Sequence, residues 1–270
     1  RQRQMCIRDS SYTNNYDGVL VEISPNTVDF QPKLDEFEQK ITPKTKAVIV
    51  NNPNNPTGVV YSEETIKKLA AIMEAKQKEF GTDIVLISDE PYRALAYDGV
   101  EVPYLTKYYD NTVVGYSYSK SLSLPGERIG YLVIPDEMKD SEEVLSAANV
   151  ATRILGFVNA PTLQQKVVEK CLNEKTDLSF YDRNREDLYN GLKECGFECI
   201  KPQGAFYLFV KSPVADEKVF CEAAKKQHIL IVPGSSFACP GYVRIAYCVA
   251  HETIINSMPG FKALAEEFLG

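Results

Sequence analysis

The 270 residues carry 44% hydrophobic and 25% charged side chains, the balance of an ordinary globular protein, which excludes extended disorder and collagen-like repeats. At about 150 residues per domain the length corresponds to roughly two domains, with core enough to need no disulfide staples. No apolar run approaches the ~20 residues of a membrane helix, and a net charge of −7 offers no basic face to a phosphate backbone, so neither membrane nor nucleic acid is an expected partner.

Residues 1–10, RQRQMCIRDS, set three arginines against one acid and show neither helical nor strand periodicity. They resemble the read-through of a sequencing adapter ahead of a truncated reading frame, and are expected to be an artefactual, unstructured segment; a natural basic arm is the alternative. Without them Lys+Arg falls from 30 to 27 and Asp+Glu from 37 to 36, leaving −9. Residues 47–50 (AVIV) and 84–87 (IVLI) are continuous apolar runs, which suits strands buried on both faces of a parallel sheet. Between them Ser62 can cap a helix, Glu63 and Glu64 lie at its positive end, and Ile66, Leu69, Ala70 and Met73 form its apolar stripe. Gly81 ends it. Strand, helix, strand predicts a βαβ unit with a right-handed crossover.

Residues 112–116 and 131–134 read as two more strands, and 177–195 as an amphipathic helix striped by Tyr181, Leu188, Leu192 and Cys195 and stopped by Gly196. A strand at 205–210, a helix at 217–226, strands at 229–232 and 243–248 and a closing helix from about Met258 complete the pattern. The expectation is an α/β protein: a large domain with a mostly parallel sheet over 11–175, and a smaller α+β domain over 176–270.

Seven cysteines are an odd number for a disulfide framework, and with no signal-peptide pattern they read as reduced thiols in a cytoplasm. Cys195 and Cys199 lack two further ligands nearby, and only His228 and His251 are histidines, so no metal site is expected. Acid–base chemistry then falls to lysine, tyrosine or carboxylates.

Open α/β sheets bind ligands at the carboxyl ends of their strands. Three such ends here carry unusual polar residues. The first runs into Asn51-Asn52-Pro53-Asn54-Asn55-Pro56-Thr57-Gly58, a loop stiff enough to hold an asparagine amide toward a ligand, or simply a turn. The second ends in Ser88-Asp89-Glu90-Pro91-Tyr92, where a carboxylate emerging from apolar residues needs a cation or serves as a helix cap. The third leads through Ser117, Ser119 and Lys120 to Pro125-Gly126-Glu127-Arg128-Ile129-Gly130. A lysine buried there becomes a usable amine nucleophile, although most lysines are solvated; the two hydroxyls and the guanidinium suit a phosphate.

The segments NNPNNPTG, SDEPY and SYSKSLSLPGERIG, in that order, resemble those of class I/II aminotransferases, pyridoxal-phosphate enzymes of fold type I. The resemblance runs over 11–270 and is closest over 47–135. It implies that pyridoxal 5'-phosphate is the cofactor and that Lys120 forms a Schiff base with its aldehyde, then shuttles a proton once displaced. It implies that Asp89 pairs with the pyridine nitrogen, that Tyr92 and Asn55 hydrogen-bond the phenolic oxygen, and that Ser117, Ser119 and Arg128 hold the phosphate. Arg244, in Tyr242-Val243-Arg244-Ile245-Ala246-Tyr247, matches the family's late arginine for the substrate α-carboxylate, with Asn55 beside it. Phe206 and Tyr207, at the start of the small domain, are assigned to packing.

The resemblance further implies transfer of an amino group from an amino acid, aspartate or a broader range, to a 2-oxo acid, in a homodimer. A β-lyase on the same scaffold and a non-catalytic effector domain are the alternatives. Roughly the first third of such enzymes has no counterpart here, so the large domain is expected to be incomplete at its N-terminus, with apolar surface exposed and cofactor held weakly.

Overall fold

The structure is a computed structural model and describes residues 13–270, so the segment 1–10 lies outside the described residues. An N-terminal helix α1 (Leu34–Lys40) is followed by β1 (Ala47–Asn51), α2 (Glu63–Phe80), β2 (Val85–Asp89) and β3 (Thr112–Ser117). Next come a one-turn helix α3 (Tyr118–Ser121), β4 (Gly130–Val133), α4 (Ser141–Ile154) and α5 (Thr162–Cys171). The C-terminal part holds α6 (Leu178–Glu194), β5 (Tyr207–Lys211), α7 (Glu217–Lys226), β6 (Val232–Pro233), β7 (Tyr242–Ala246) and α8 (His251–Phe268).

Two compact units result. One joins Ile41–Pro53 to Val60–Thr176; the other joins the described residues up to Lys40 and the segment Asn54–Val59 to Asp177–Gly270. The N-terminal residues group with the C-terminal ones through Phe30, whose ring meets those of Phe209 and Tyr242 edge-on, each at 5.5 Å between centroids.

The first unit is built on a sheet of order β1-β2-β3-β4. β1, β2 and β3 run parallel and β4 is antiparallel to β3. α2 makes the expected crossover between β1 and β2. The Ser62 hydroxyl accepts from the Thr65 N–H at 3.1 Å, Gly81 closes the helix at φ 63°, and Ile66, Leu69, Ala70 and Met73 are buried. The register places Asn51 opposite Asp89, Asp89 opposite Gly115, and Ser117 opposite Gly130. Three carboxyl ends therefore come level along one edge of the sheet.

β1 departs from the expectation of burial on both faces: Val50 is buried but Ile49 is exposed, because β1 is the end strand of this sheet among the described residues. α4 and α5 have no counterpart in the sequence reading. α4 buries no residue at all.

The second unit holds an antiparallel sheet of order β5-β7-β6. Leu188 and Leu192 of the α6 stripe are fully buried with Phe197, Phe220 and Phe261, whereas Tyr181 and Cys195 are only partly so. β6 is shorter and later than the strand expected at 229–232. The Ile229 N–H bonds the Ala224 carbonyl at 2.9 Å, closing the end of α7, so that residue has no ladder donor to give. α8 starts at His251, ahead of the expected Met258: Pro259 lies inside it, and buried Ile254 draws the added turns onto the unit. Among the described residues no helix is long and apolar enough to cross a membrane.

Candidate active site

In the sheet unit, Asp89 is the last residue of β2 and is exposed at the strand end. The Asn51 side-chain amide donates to Asp89 Oδ2 at 2.9 Å and to the Asp89 carbonyl at 3.1 Å. The residue after Asp89 is anchored from below. Glu90 is buried, accepts from the Ser88 hydroxyl at 2.7 Å and forms an ion pair with Arg93 Nε. Arg93 in turn donates to the Val102 and Pro103 carbonyls at 3.0 and 2.8 Å and lies over the Tyr104 ring. This clamp fixes the turn that carries Tyr92, whose ring is buried and stands 5.8 Å from Lys120 Nζ.

Lys120 lies in α3, immediately beyond β3, and is half-buried. Ser117 caps that turn. Its Oγ accepts from the Ser119 N–H at 3.1 Å and donates to Ser119 Oγ at 2.7 Å, so the two hydroxyls form a pair. Burial pushes the Tyr118 phenol, between the two serines in sequence, above its ordinary value. The β3–β4 ladder ends at Ser117 and Gly130, and the Tyr118 N–H bonds the Ile129 carbonyl at 3.2 Å, so Arg128 leaves the sheet beside this turn. Gly130 must be glycine for that closeness, since a Cβ would stand 2.3 Å from the Tyr116 carbonyl oxygen. Arg128 donates to the Pro125 carbonyl at 3.0 Å within its own loop.

The second unit contains Asn55 and Arg244. The segment 54–59 is closed by Gly58 N–H to Asn54 O at 2.8 Å and by the Thr57 hydroxyl to Asn54 Oδ1 at 2.8 Å. Gly58 sits at φ 71° with Pro202 and the Tyr207 carbonyl so near that a Cβ would meet them at 2.6 and 2.7 Å. Arg244 lies mid-strand in β7, opposite Phe209 of β5 and Val232 of β6. Its guanidinium stands 4.3 Å from the Tyr207 ring centroid and 4.6 Å from that of Phe237, and Nη1 donates to Asn55 Oδ1 at 3.0 Å. Aromatic rings this close to a guanidinium shield it from water while leaving its N–H donors suited to a carboxylate.

Direct contacts thus join Asp89 to Asn51, Lys120 to Tyr92, Ser117 to Ser119, and Arg244 to Asn55. Phe206 packs as expected, with its ring 5.9 Å from that of Tyr181 and 4.8 Å from that of Tyr207. Tyr207 does more than pack, and Phe237, Asn51 and the Glu90–Arg93 pair had no signal in the sequence beyond their residue types. Burial pushes the Cys199 thiol up to about 11, away from the thiolate a metal would need.

The family model of class I and II aminotransferases matches residues 11–256. The aromatic-amino-acid aminotransferase 2 of Thermococcus litoralis is 30% identical over 253 residues, covering 88% of this chain and 62% of that protein. The aspartate aminotransferase of Thermotoga maritima is 34% identical over 237 residues, covering 85% of this chain and 58% of that protein. A solved amino transferase from Eubacterium rectale shares the fold at a TM-score of 0.93 and 51% identity, over 96% of this chain and 65% of that one. The chain spans less than two thirds of the length of these relatives.

Proposed function

The chain belongs to the class I and II aminotransferase family, and from that premise we propose that the protein transfers the amino group of an amino acid to a 2-oxo acid with pyridoxal 5'-phosphate as cofactor. Enzymes of this family depend on that cofactor. The observation that carries the reading is the alignment of two neighbouring strand ends, that of β2 bearing Asp89 and Tyr92 and that of β3 bearing Lys120, with Lys120 Nζ 5.8 Å from the Tyr92 ring centroid. The donor set fits the group: a carboxylate suits a pyridinium nitrogen, a half-buried amine an aldehyde, and a hydroxyl pair together with a guanidinium a phosphate.

When bound, pyridoxal phosphate supplies an aldehyde that takes up amino groups and a ring that accepts the electrons of the substrate Cα–H bond. Lys120 supplies the amine that holds the aldehyde carbon and, once displaced, moves a proton at Nζ between the substrate α-carbon and that carbon. Asp89 would accept a hydrogen bond from the protonated ring nitrogen and keep it charged. Tyr92 and Asn55 donate to the phenolic oxygen, while Ser117, Ser119 and Arg128 hold the phosphate. Arg244, braced by Tyr207, Phe237 and Asn55, grips the substrate α-carboxylate.

An α-carboxylate is common to all amino acids, so Arg244 selects the class and not the member. Relatives named for aspartate, aromatic amino acids and prephenate support aspartate or a broader range as donor. The free thiols of Cys171, Cys195, Cys199, Cys221 and Cys239 support a reducing, cytoplasmic setting, and the exposed apolar side chains of α4 support a homodimer.

Aspartate and 2-oxoglutarate, supplied with pyridoxal phosphate, should yield oxaloacetate and glutamate. Pyruvate, ammonia and sulfide released from cysteine, with no glutamate formed from aspartate, would replace this reading with C–X cleavage. Borohydride reduction followed by peptide mapping should find the cofactor on the peptide containing Lys120, and Lys120→Ala should abolish both the adduct and glutamate formation.

A further inference from the structure

Asn51 has no role in the reaction described above, yet it makes two bonds to the residue on which the ring nitrogen would depend. It closes the β1–β2 ladder opposite Asp89, and its amide donates to Asp89 Oδ2 at 2.9 Å and to the Asp89 carbonyl at 3.1 Å. A carboxylate and a carbonyl only accept, so both bonds require the NH2 end of the amide, and its two hydrogens suffice for the two acceptors. The segment carrying Asn51 is itself held. The next residue, Asn52, is fully buried, its N–H bonds the Asp89 carbonyl at 3.3 Å, and its Oδ1 accepts from the Tyr61 N–H at 2.9 Å.

We propose that Asn51 is a positioning residue that orients the Asp89 carboxylate and keeps it ionised toward the cofactor ring nitrogen. This rests on the reading of Asp89 as the partner of that nitrogen. The choice of residue follows from the charge. A lysine or arginine here would compete with the pyridinium for the carboxylate. An acid would repel it and force the two to share a proton. An aliphatic side chain would leave the carboxylate to turn about its own bonds. An amide donates without carrying charge or titrating, so the negative charge of Asp89 stays whole and stays aimed.

A purely structural Asn51, one that only ties the two strand ends together through the Asp89 carbonyl, makes a different prediction. Cofactor affinity separates the two, measured on the full-length polypeptide by titrating pyridoxal phosphate and following its absorbance. Asn51→Ala should weaken binding about tenfold, since a hydrogen bond to a charged group is worth about one power of ten or more in an equilibrium constant. The loss should shrink to less than about twofold in an Asp89→Ala background, where the coupled pair is already broken. It should also vanish with the 1-deaza analogue of the cofactor, which has no ring nitrogen. Asn51→Ser, which keeps a shorter donor, should fall between, and it carries the same comparisons if Asn51→Ala does not fold.

Equal losses from Asn51→Ala with and without Asp89, or with the deaza analogue, would overturn the proposal in favour of a strand tie. An unchanged affinity in Asn51→Ala, while Asp89→Ala binds weakly, would overturn it alone. An unchanged affinity in Asp89→Ala would overturn the reading of Asp89 and the proposal with it.

Discussion

In the proposed reading a single side chain, Arg244, would recognise the substrate carboxylate, and what surrounds it decides how well it could do so. Its guanidinium lies against the rings of Tyr207 and Phe237 and is tied at Nη1 to Asn55. Each aromatic face on a cation contributes about 0.5–2 kcal/mol, more where water is excluded. Removing one face in Phe237→Leu leaves the charge in place but frees the plane to tilt. The KM for the amino donor should therefore rise about threefold to tenfold with kcat within about twofold, in steady-state assays across donor concentrations. The Glu90–Arg93 pair makes a stability argument instead. Glu90 is 1% exposed, so Arg93→Met strands a buried carboxylate and should cost about 3–5 kcal/mol in urea denaturation. Asp89, Lys120 and Arg128 can be proposed from the sequence because they fall in contiguous motifs at strand ends. Asn51 and Phe237 cannot, because their partners lie across a strand pair and a chain turn that only the fold brings together.

At the scale of elements, α7 shows how a helix end can secure a loop. Glu217, in its first turn, is buried and accepts from the Ser235 N–H at 3.1 Å and the Gly241 N–H at 3.0 Å. Those two bonds flank Phe237, the last residue of the 3-10 turn Gly234–Phe237, so they also hold the ring that lies on Arg244. Burial alone would raise the Glu217 carboxyl, but the N–H donors outweigh it and hold it below the ordinary value of 4.5. A group lowered in the folded state contributes its stability above its unfolded value and loses it as pH falls through the folded one. Glu217→Gln should thus lower the unfolding free energy by about 2 kcal/mol at pH 7, with the gap to the parent closing as the pH drops below about 4.5. Urea midpoints of both proteins across that pH range check it. α2 was readable because both its ends are local signals, Ser62 and Gly81. α4 lacks them: its N-cap, Asp140, sits at φ 56° and makes no side-chain cap bond, and no residue of the helix is buried. β6 and the start of α8 depend on a helix closure at Ile229 and on burial of Ile254, which are tertiary facts.

On the whole molecule, the expectation of exposed apolar surface meets a run of exposed apolar side chains in the sheet unit. Leu145 and Ile154 on α4, Phe157 in the following loop, and Leu163 and Leu172 on and just after α5 are all exposed, Ile154 at 76% and Phe157 at 71%. β4 adds Tyr131 and Leu132 to the exposed apolar residues of the same unit. Monomeric proteins rarely leave so many large apolar groups in water over one stretch, because each one buried contributes about 1.5–3 kcal/mol. The chain on its own should therefore self-associate. Light scattering should rise with concentration in the micromolar range, and a dye such as ANS should fluoresce on it. Ile154→Glu together with Phe157→Ser should reduce both signals, while the urea midpoint moves little, since these side chains rest on nothing that folding buries. A monodisperse wild-type monomer that leaves the dye dark would show that these residues are individually solvated, and that neither further chain nor a second copy is needed to cover them.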